Sequence, residues 1–191
     1  MYGKLVFGVG IYEPGPHSAK VGGRLTRPYV AWKNMLYRCC SHTGQARNLA
    51  YRDVVVAPEF LRFQAFADWY VPNEVAGWDI DKDVLCPGSK TYSSSTCCFL
   101  PPELNRLFKV SPRKNPDLPT GVVINQGKHI QAQIGLAGRL KYLGLFSTIE
   151  DARKAYLTAK KAEIRRLVSL HRGQLTDRVI EAIDRFPIET I

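Results

Sequence analysis

The chain has 191 residues, enough for one domain or two small ones, and its 45% hydrophobic and 23% charged residues are an ordinary balance for a protein that buries a core. No apolar run approaches the roughly 20 residues needed to span a bilayer, and the glycine-interrupted, acid-containing N-terminus makes a poor signal peptide; the expectation is a soluble cytoplasmic protein with no membrane partner. The net charge of +10 is uneven: residues 105–172 hold 14 basic and 4 acidic side chains, residues 1–104 hold 11 and 9, and residues 173–191 hold 2 and 4. Positive charge concentrated in one segment fits a phosphate-backbone partner, whose counterions are released on binding. The alternative is a solvated basic face.

In chain order, a Gly- and Pro-rich loop runs to about Arg27. Tyr29, Trp32, Met35, Leu36 and Cys39 then follow at helical spacing. A second helix is predicted in PEFLRFQAFADWY, led by Pro58, with Phe60, Phe63, Phe66 and Tyr70 on one stripe. Aromatics at that spacing predict core packing. They disfavour a base-stacking platform, and with it an RNA partner. WDIDKDVL (78–85) reads as a strand, CCFL (97–100) as a second short strand, and PPELNRLF (101–108) as a helix.

The three prolines of residues 111–121 predict a linker, with a module boundary near Asn115. Beyond it, GVVINQ, KHIQAQIGLAG and GRLKYLGLF read as three strands. In the second, Ile130, Ala132, Ile134 and Leu136 alternate with His129, Gln131 and Gln133; in the third, Arg139 and Lys141 alternate with Leu140 and Tyr142. A long helix follows, with Ser147 and Glu150 as a capping box and Ile149, Ala152, Ala155, Tyr156, Ala159 and Leu167 as its apolar stripe, Lys160 and Lys161 lying on the helix behind the sheet. LTDRVIEAIDRF is a further short amphipathic helix. The predicted fold class is α+β: a helical module with a strand–loop–strand–helix motif, then a three-stranded antiparallel sheet packed on one long helix, then a short C-terminal helix. The face bearing His129, Gln131, Gln133, Arg139 and Lys141 is expected to meet a DNA major groove, which admits a thin β-ribbon.

Five cysteines, two pairs of them adjacent in sequence, do not form a disulfide framework, and no C-x(2–4)-C pair suits zinc. The expectation is reduced, mostly buried thiols.

Residues 127–160 resemble the APETALA/ethylene-response-factor type of DNA-binding domain, through Gly127, Lys128, Ala132, Ile134, Leu143, Gly144, Phe146, Thr148, Ala152, Ala155 and Tyr156. The resemblance extends over residues 118–167 and implies base contact by the sheet. The candidate DNA-binding residues are Lys128, His129, Gln131, Gln133, Arg139 and Lys141. The sequence departs from plant members at His129, where they favour an aromatic, and its first strand lacks their arginines.

The preceding module is similar to that of bacteriophage HNH proteins that carry such a domain, through YVAWKNMLYRCC, Arg47, Tyr51, EFLRFQAFADWY, GWDIDKDVL and GSKTYSSSTCCFLPPELN. That resemblance implies a ββα-metal motif over residues 77–108, inside a nuclease module of residues 1–112. The DNA-binding domain is then residues 116–170 and the C-terminal helix residues 171–191. It implies a homing-type DNA endonuclease acting on double-stranded DNA in the cytoplasm of an infected bacterial host. Asp81 and Asn105 become the metal ligands, oxygen donors suited to Mg²⁺ or Mn²⁺. Lys82 stands where the family has its general-base His, and Thr96 where it has an orienting Asn. A lysine, with an ordinary pKa of about 10.4, is a poor base at neutral pH; Asp83 is the other candidate base, although strand alternation points it away from Lys82. The competing reading of Asp81–Lys82–Asp83 is a charged hairpin rim held by Lys–Asp pairing. The corresponding alternative function is a catalytically inactive DNA-binding protein retaining a degenerate HNH scaffold.

Overall fold

Pro28 in the first turn and apolar residues at i, i+3, i+4 and i+7 explain the first long helix. The computed structural model describes residues 5–109, 115–125, 127 and 129–190. A small hairpin of β1 (Lys20–Val21) and β2 (Arg24–Leu25) precedes α1 (Arg27–Cys40), whose buried side chains are Trp32, Met35, Leu36 and Cys39. Then come α2 (His42–Arg47), a 3-10 turn at Leu49–Tyr51, β3 (Val55–Val56), α3 (Pro58–Leu61) and α4 (Phe63–Asn73). β4 (Asp79–Asp81) pairs with β6 (Cys98–Leu100), while β5 (Thr91–Tyr92) pairs in parallel with β3.

The chain divides into two compact units, Met1–Phe99 and Leu100–Ile191. The 111–121 stretch, whose prolines predict a linker, falls within the second unit, and residues 110–114 lie outside the described residues. α5 (Pro102–Phe108) falls with the second unit because it packs on the long helix that follows the sheet.

The first unit is held by an aromatic core. Trp32, Phe60, Phe63 and Phe66 are all fully buried, each burial contributing on the order of 1.5–3 kcal/mol. Trp32 Nε1 also donates to the Phe60 carbonyl at 2.8 Å, and Trp69 stacks on Phe99 with ring centres 5.5 Å apart. The single helix expected over 58–70 is two helices. Ile11 N donates to the Leu61 carbonyl at 2.8 Å and Phe63 N donates to the Ile11 carbonyl at 3.0 Å. These bonds hold Arg62 extended (φ −95°, ψ 124°) and interrupt the helical ladder.

In the second unit, β7 (Val122–Asn125), β8 (His129–Leu136) and β9 (Arg139–Phe146) form an antiparallel sheet in that order. Val122 and Ala132 pack on Ala152 of α6 (Ile149–Leu170), with Ile130, Leu143 and Phe146 around them. Thr148, not Ser147, caps α6: its hydroxyl accepts from Asp151 N at 3.1 Å and donates to the Asp151 carboxylate at 2.8 Å. The capping pair is therefore Thr148–Asp151, one residue on from Ser147–Glu150. The buried stripe of α6 is Ala152, Tyr156, Lys160, Ile164 and Leu167, so Lys160 faces inward and does not share the surface of Lys161. The short helix α7 (Asp177–Arg185) buries Val179 and Ile183 and is followed by a 3-10 turn at Ile188–Thr190. The fold is α+β, and no helix among the described residues is long and apolar enough to cross a membrane.

Candidate nucleic-acid interface and the Asp81 turn

The β8–β9 ladder decides which side chains the sheet offers to solvent. Directly opposed residues in an antiparallel pair point to the same face. Ala132, on the helix side, faces Gly144, but Gln133 faces Tyr142, so Leu143 is one extra residue in β9. Such a bulge displaces the alternation by one and reverses the faces beyond it. Gly144 accommodates the bend at φ 135°. Leu143 turns in against Ala132 and Ala152.

The consequence corrects the expected interface. Lys141 lies opposite Ile134, and Arg139 opposite Leu136. Both basic residues therefore point to the helix side of the sheet. Consistently, the Lys141 charge, after the Arg166 contacts, helps hold the Glu163 carboxyl of α6 below its ordinary range. The outer face instead carries His129, Gln131 and Gln133 from β8, with Leu140, Tyr142 and Leu145 from β9 exposed by 68%, 57% and 56%. Gln131 lies opposite Leu145 and Gln133 opposite Tyr142. Lys128 lies outside the described residues. Perfect alternation in the sequence had placed Arg139 and Lys141 outward; the three exposed β9 side chains are those that reading missed.

In the first unit, the strand ends at Asp81 and the chain turns. Asp81 is 4% exposed. Its Oδ1 accepts from Asp83 N at 2.9 Å and from Val84 N at 2.8 Å, a side-chain-closed turn. Burial is the main cause that pushes the Asp81 carboxyl up, against those two bonds and the Lys82 charge. Lys82 Nζ donates to the Asp83 carboxylate and to the Ser89 carbonyl at 3.0 Å. Asp83 therefore pairs with Lys82, contrary to the alternation argument, because the strand does not continue past Asp81. Thr96 Oγ1 donates to the Thr91 carbonyl at 2.7 Å and accepts from Ser93 N at 3.1 Å, closing the loop beside this turn.

The structure thus brings Asp81, Lys82 and Asp83 into one turn and puts Thr96 to use in the neighbouring loop. Asn105 belongs to α5 of the second unit, with a buried side chain. Among the described residues, no group of three or more His, Cys, Asp or Glu gathers to hold a metal. Asp81 itself fits a hard cation in part. Its Oδ1 is spent on the turn, and a buried carboxylate is a favourable oxygen donor for Mg²⁺ or Mn²⁺. The nearby thiols are poor ligands: burial pushes both Cys39 and Cys97 up to about 12, so they stay protonated at neutral pH, and a metal needs the thiolate. Comparison of the chain with protein-family models, with curated proteins and with solved structures found no match.

Proposed function

We propose that the chain is a double-stranded-DNA endonuclease of the HNH, homing type, phage-encoded and acting in the cytoplasm of the infected bacterial host. The second unit supplies the affinity. One observation carries the DNA partner: the second unit has 16 basic residues against 9 acidic ones, and all nine acids lie on its helices, its 3-10 turn or the loop before β7, leaving the sheet free of negative charge. A polyanion can approach that sheet without like-charge repulsion, and the surplus cations supply the counterion-release term that dominates affinity.

In this reading Asp81 would hold a Mg²⁺ or Mn²⁺ ion, which when bound supplies positive charge to the scissile phosphate. The chain's own residues orient and exchange protons. The two N–H bonds on Oδ1 fix the Asp81 carboxylate. Lys82, tied to Asp83 and Ser89, serves as a clamp and not as a base. Asp83, with its side chain 43% exposed, is the solvent-accessible carboxylate of the turn and the proton acceptor. A second reading, DNA binding without cleavage, is favoured by a specific observation: Lys82 and Thr96 both spend their polar atoms on bonds that shape the loop.

The test has two parts. The full chain is titrated with duplex DNA at several salt concentrations, with log affinity expected to fall linearly in log salt; salt-independent or absent binding removes the DNA reading. Plasmid cleavage with Mg²⁺ or Mn²⁺ is then compared between wild type and Asp81→Ala. Wild-type cleavage that Asp81→Ala abolishes without loss of DNA affinity supports the nuclease. An inert wild type that still binds DNA establishes the second reading.

A further inference from the structure

The outer sheet face has an unusual chemistry for a DNA-facing surface, since Arg139 and Lys141 point the other way. We propose that this face reads A·T base pairs in the major groove, through Gln131 and Gln133 with the apolar side chains Leu140, Tyr142 and Leu145. The inference rests on the DNA-binding reading above and adds the base class.

The argument starts from the cross-strand pairs. Each glutamine sits directly opposite an apolar side chain: Gln131 beside Leu145 and Gln133 beside Tyr142. Opposed side chains on one face are about 4.5–5.5 Å apart at Cβ. An A·T pair presents in the major groove an adenine N6/N7 edge, which an amide engages bidentately, next to a thymine methyl, which takes an apolar contact. One glutamine and its apolar neighbour therefore match both halves of one A·T pair. Residues two apart on a strand are about 6.8 Å apart, close to two base-pair steps at about 3.4 Å each. Gln131 and Gln133 can thus address pairs two steps apart on a groove running along the strand.

Guanine is read chiefly by arginine or lysine on O6 and N7. Arg139 and Lys141 are the two such residues on these strands, and the Leu143 bulge turns both to the helix side. With no acid on the sheet and a basic surplus in the unit, the phosphate backbone favours approach while the uncharged centre of the face discriminates bases.

The test uses the full chain and a pool of random-sequence duplexes, with bound molecules recovered and sequenced. The expected result is enrichment of A·T pairs at two positions two steps apart. On the selected duplex, Gln131→Ala and Gln133→Ala each weaken binding by about 5- to 150-fold, the range for one lost bidentate contact. Affinity for a G·C duplex of equal length does not change. Replacing thymine by uracil, which removes the methyl, weakens wild type more than it weakens Tyr142→Ser or Leu145→Ser. Binding with no base preference, or with a G·C preference, overturns the proposal and leaves DNA binding standing. Failure to bind any duplex removes both. If Leu140→Ser and Tyr142→Ser change self-association and not base preference, the face is a protein contact and the proposal falls.

Discussion

Lys160 offers the sharpest test of how the second unit is held together. It sits on the buried stripe of α6, is 3% exposed, and has its Nζ 5.8 Å from the centre of the Tyr156 ring. Burial lowers its pKa from 10.5 to about 8. In the unfolded chain the lysine is protonated up to about 10.4, so the folded state bears a penalty for the buried ammonium. That penalty is complete below about 8, shrinks as pH rises from 8 towards 10.5, and is absent above. At about 1.36 kcal/mol per pKa unit it amounts to about 3 kcal/mol at pH 7. Lys160→Met removes it while keeping an unbranched helix-forming side chain. The lost cation–π contact offsets about 0.5–2 kcal/mol. The variant should therefore be more stable than wild type at pH 7, by about 1–2.5 kcal/mol, with the advantage fading as pH approaches 10.5. Urea unfolding followed by far-UV circular dichroism reports on the 22-residue α6. Tryptophan fluorescence does not, since Trp32, Trp69 and Trp78 all belong to the first unit. A variant less stable at pH 7, or a difference constant from pH 7 to 10.5, refutes the burial argument.

Ala137 closes the β8–β9 hairpin at φ 49°, a left-handed conformation that costs a non-glycine residue about 1–2 kcal/mol; Ala137→Gly should raise the thermal midpoint, and a fall would show that the turn is not strained. Gly121 has φ +82°, and an added Cβ would lie 2.0 Å from Tyr156 Cδ2, so Gly121→Ala should destabilise the second unit by more than about 2 kcal/mol in urea titration. Trp32→Phe leaves the buried Phe60 carbonyl without its donor and should cost the first unit about 1–3 kcal/mol, read by differential scanning calorimetry.

Helices with strong periodicity were legible: α1 and α6 lie where the spacing of Trp32, Met35 and Leu36, and of Ala152 and Tyr156, put them. What escaped depended on bonds between residues far apart in sequence. The break at Arg62 comes from Ile11, 51 positions earlier, and β3 pairs with β5 across 36 positions. Neither leaves a local pattern. The β9 bulge is a subtler failure. Arg139, Leu140, Lys141 and Tyr142 do alternate in polarity, and the packing of Leu143 against the Ala132–Ala152 core reveals that the period slips by one after them. Lys160 escaped because a lysine at an i+4 position from Tyr156 reads as surface, although its long aliphatic stem suits the stripe. In the Asp81 turn, the three charges were visible but their wiring was not, since the end of β4 decides that Asp83 meets Lys82.

That wiring makes Asp81→Asn a more informative change than Asp81→Ala. An amide oxygen can replace Oδ1 and accept the bonds from Asp83 N and Val84 N, but an amide is a weaker ligand for a hard dication than a carboxylate. Alanine removes both capacities. If shaping the loop is all that Asp81 does, Asp81→Ala should cost about 1–3 kcal/mol, chiefly for the buried Val84 N–H left unsatisfied, Asp81→Asn should cost little, and neither should alter any metal-dependent property. If Asp81 also holds the ion, Asp81→Asn should fold and bind DNA like wild type, lose cleavage, and lose the thermal stabilisation that Mn²⁺ gives the wild type. Stabilisation by Mn²⁺ follows from preferential binding to the folded state and is readable without any turnover. Equal Mn²⁺ stabilisation of wild type and Asp81→Asn would remove Asp81 from the metal site and, with it, the nuclease assignment of the first unit.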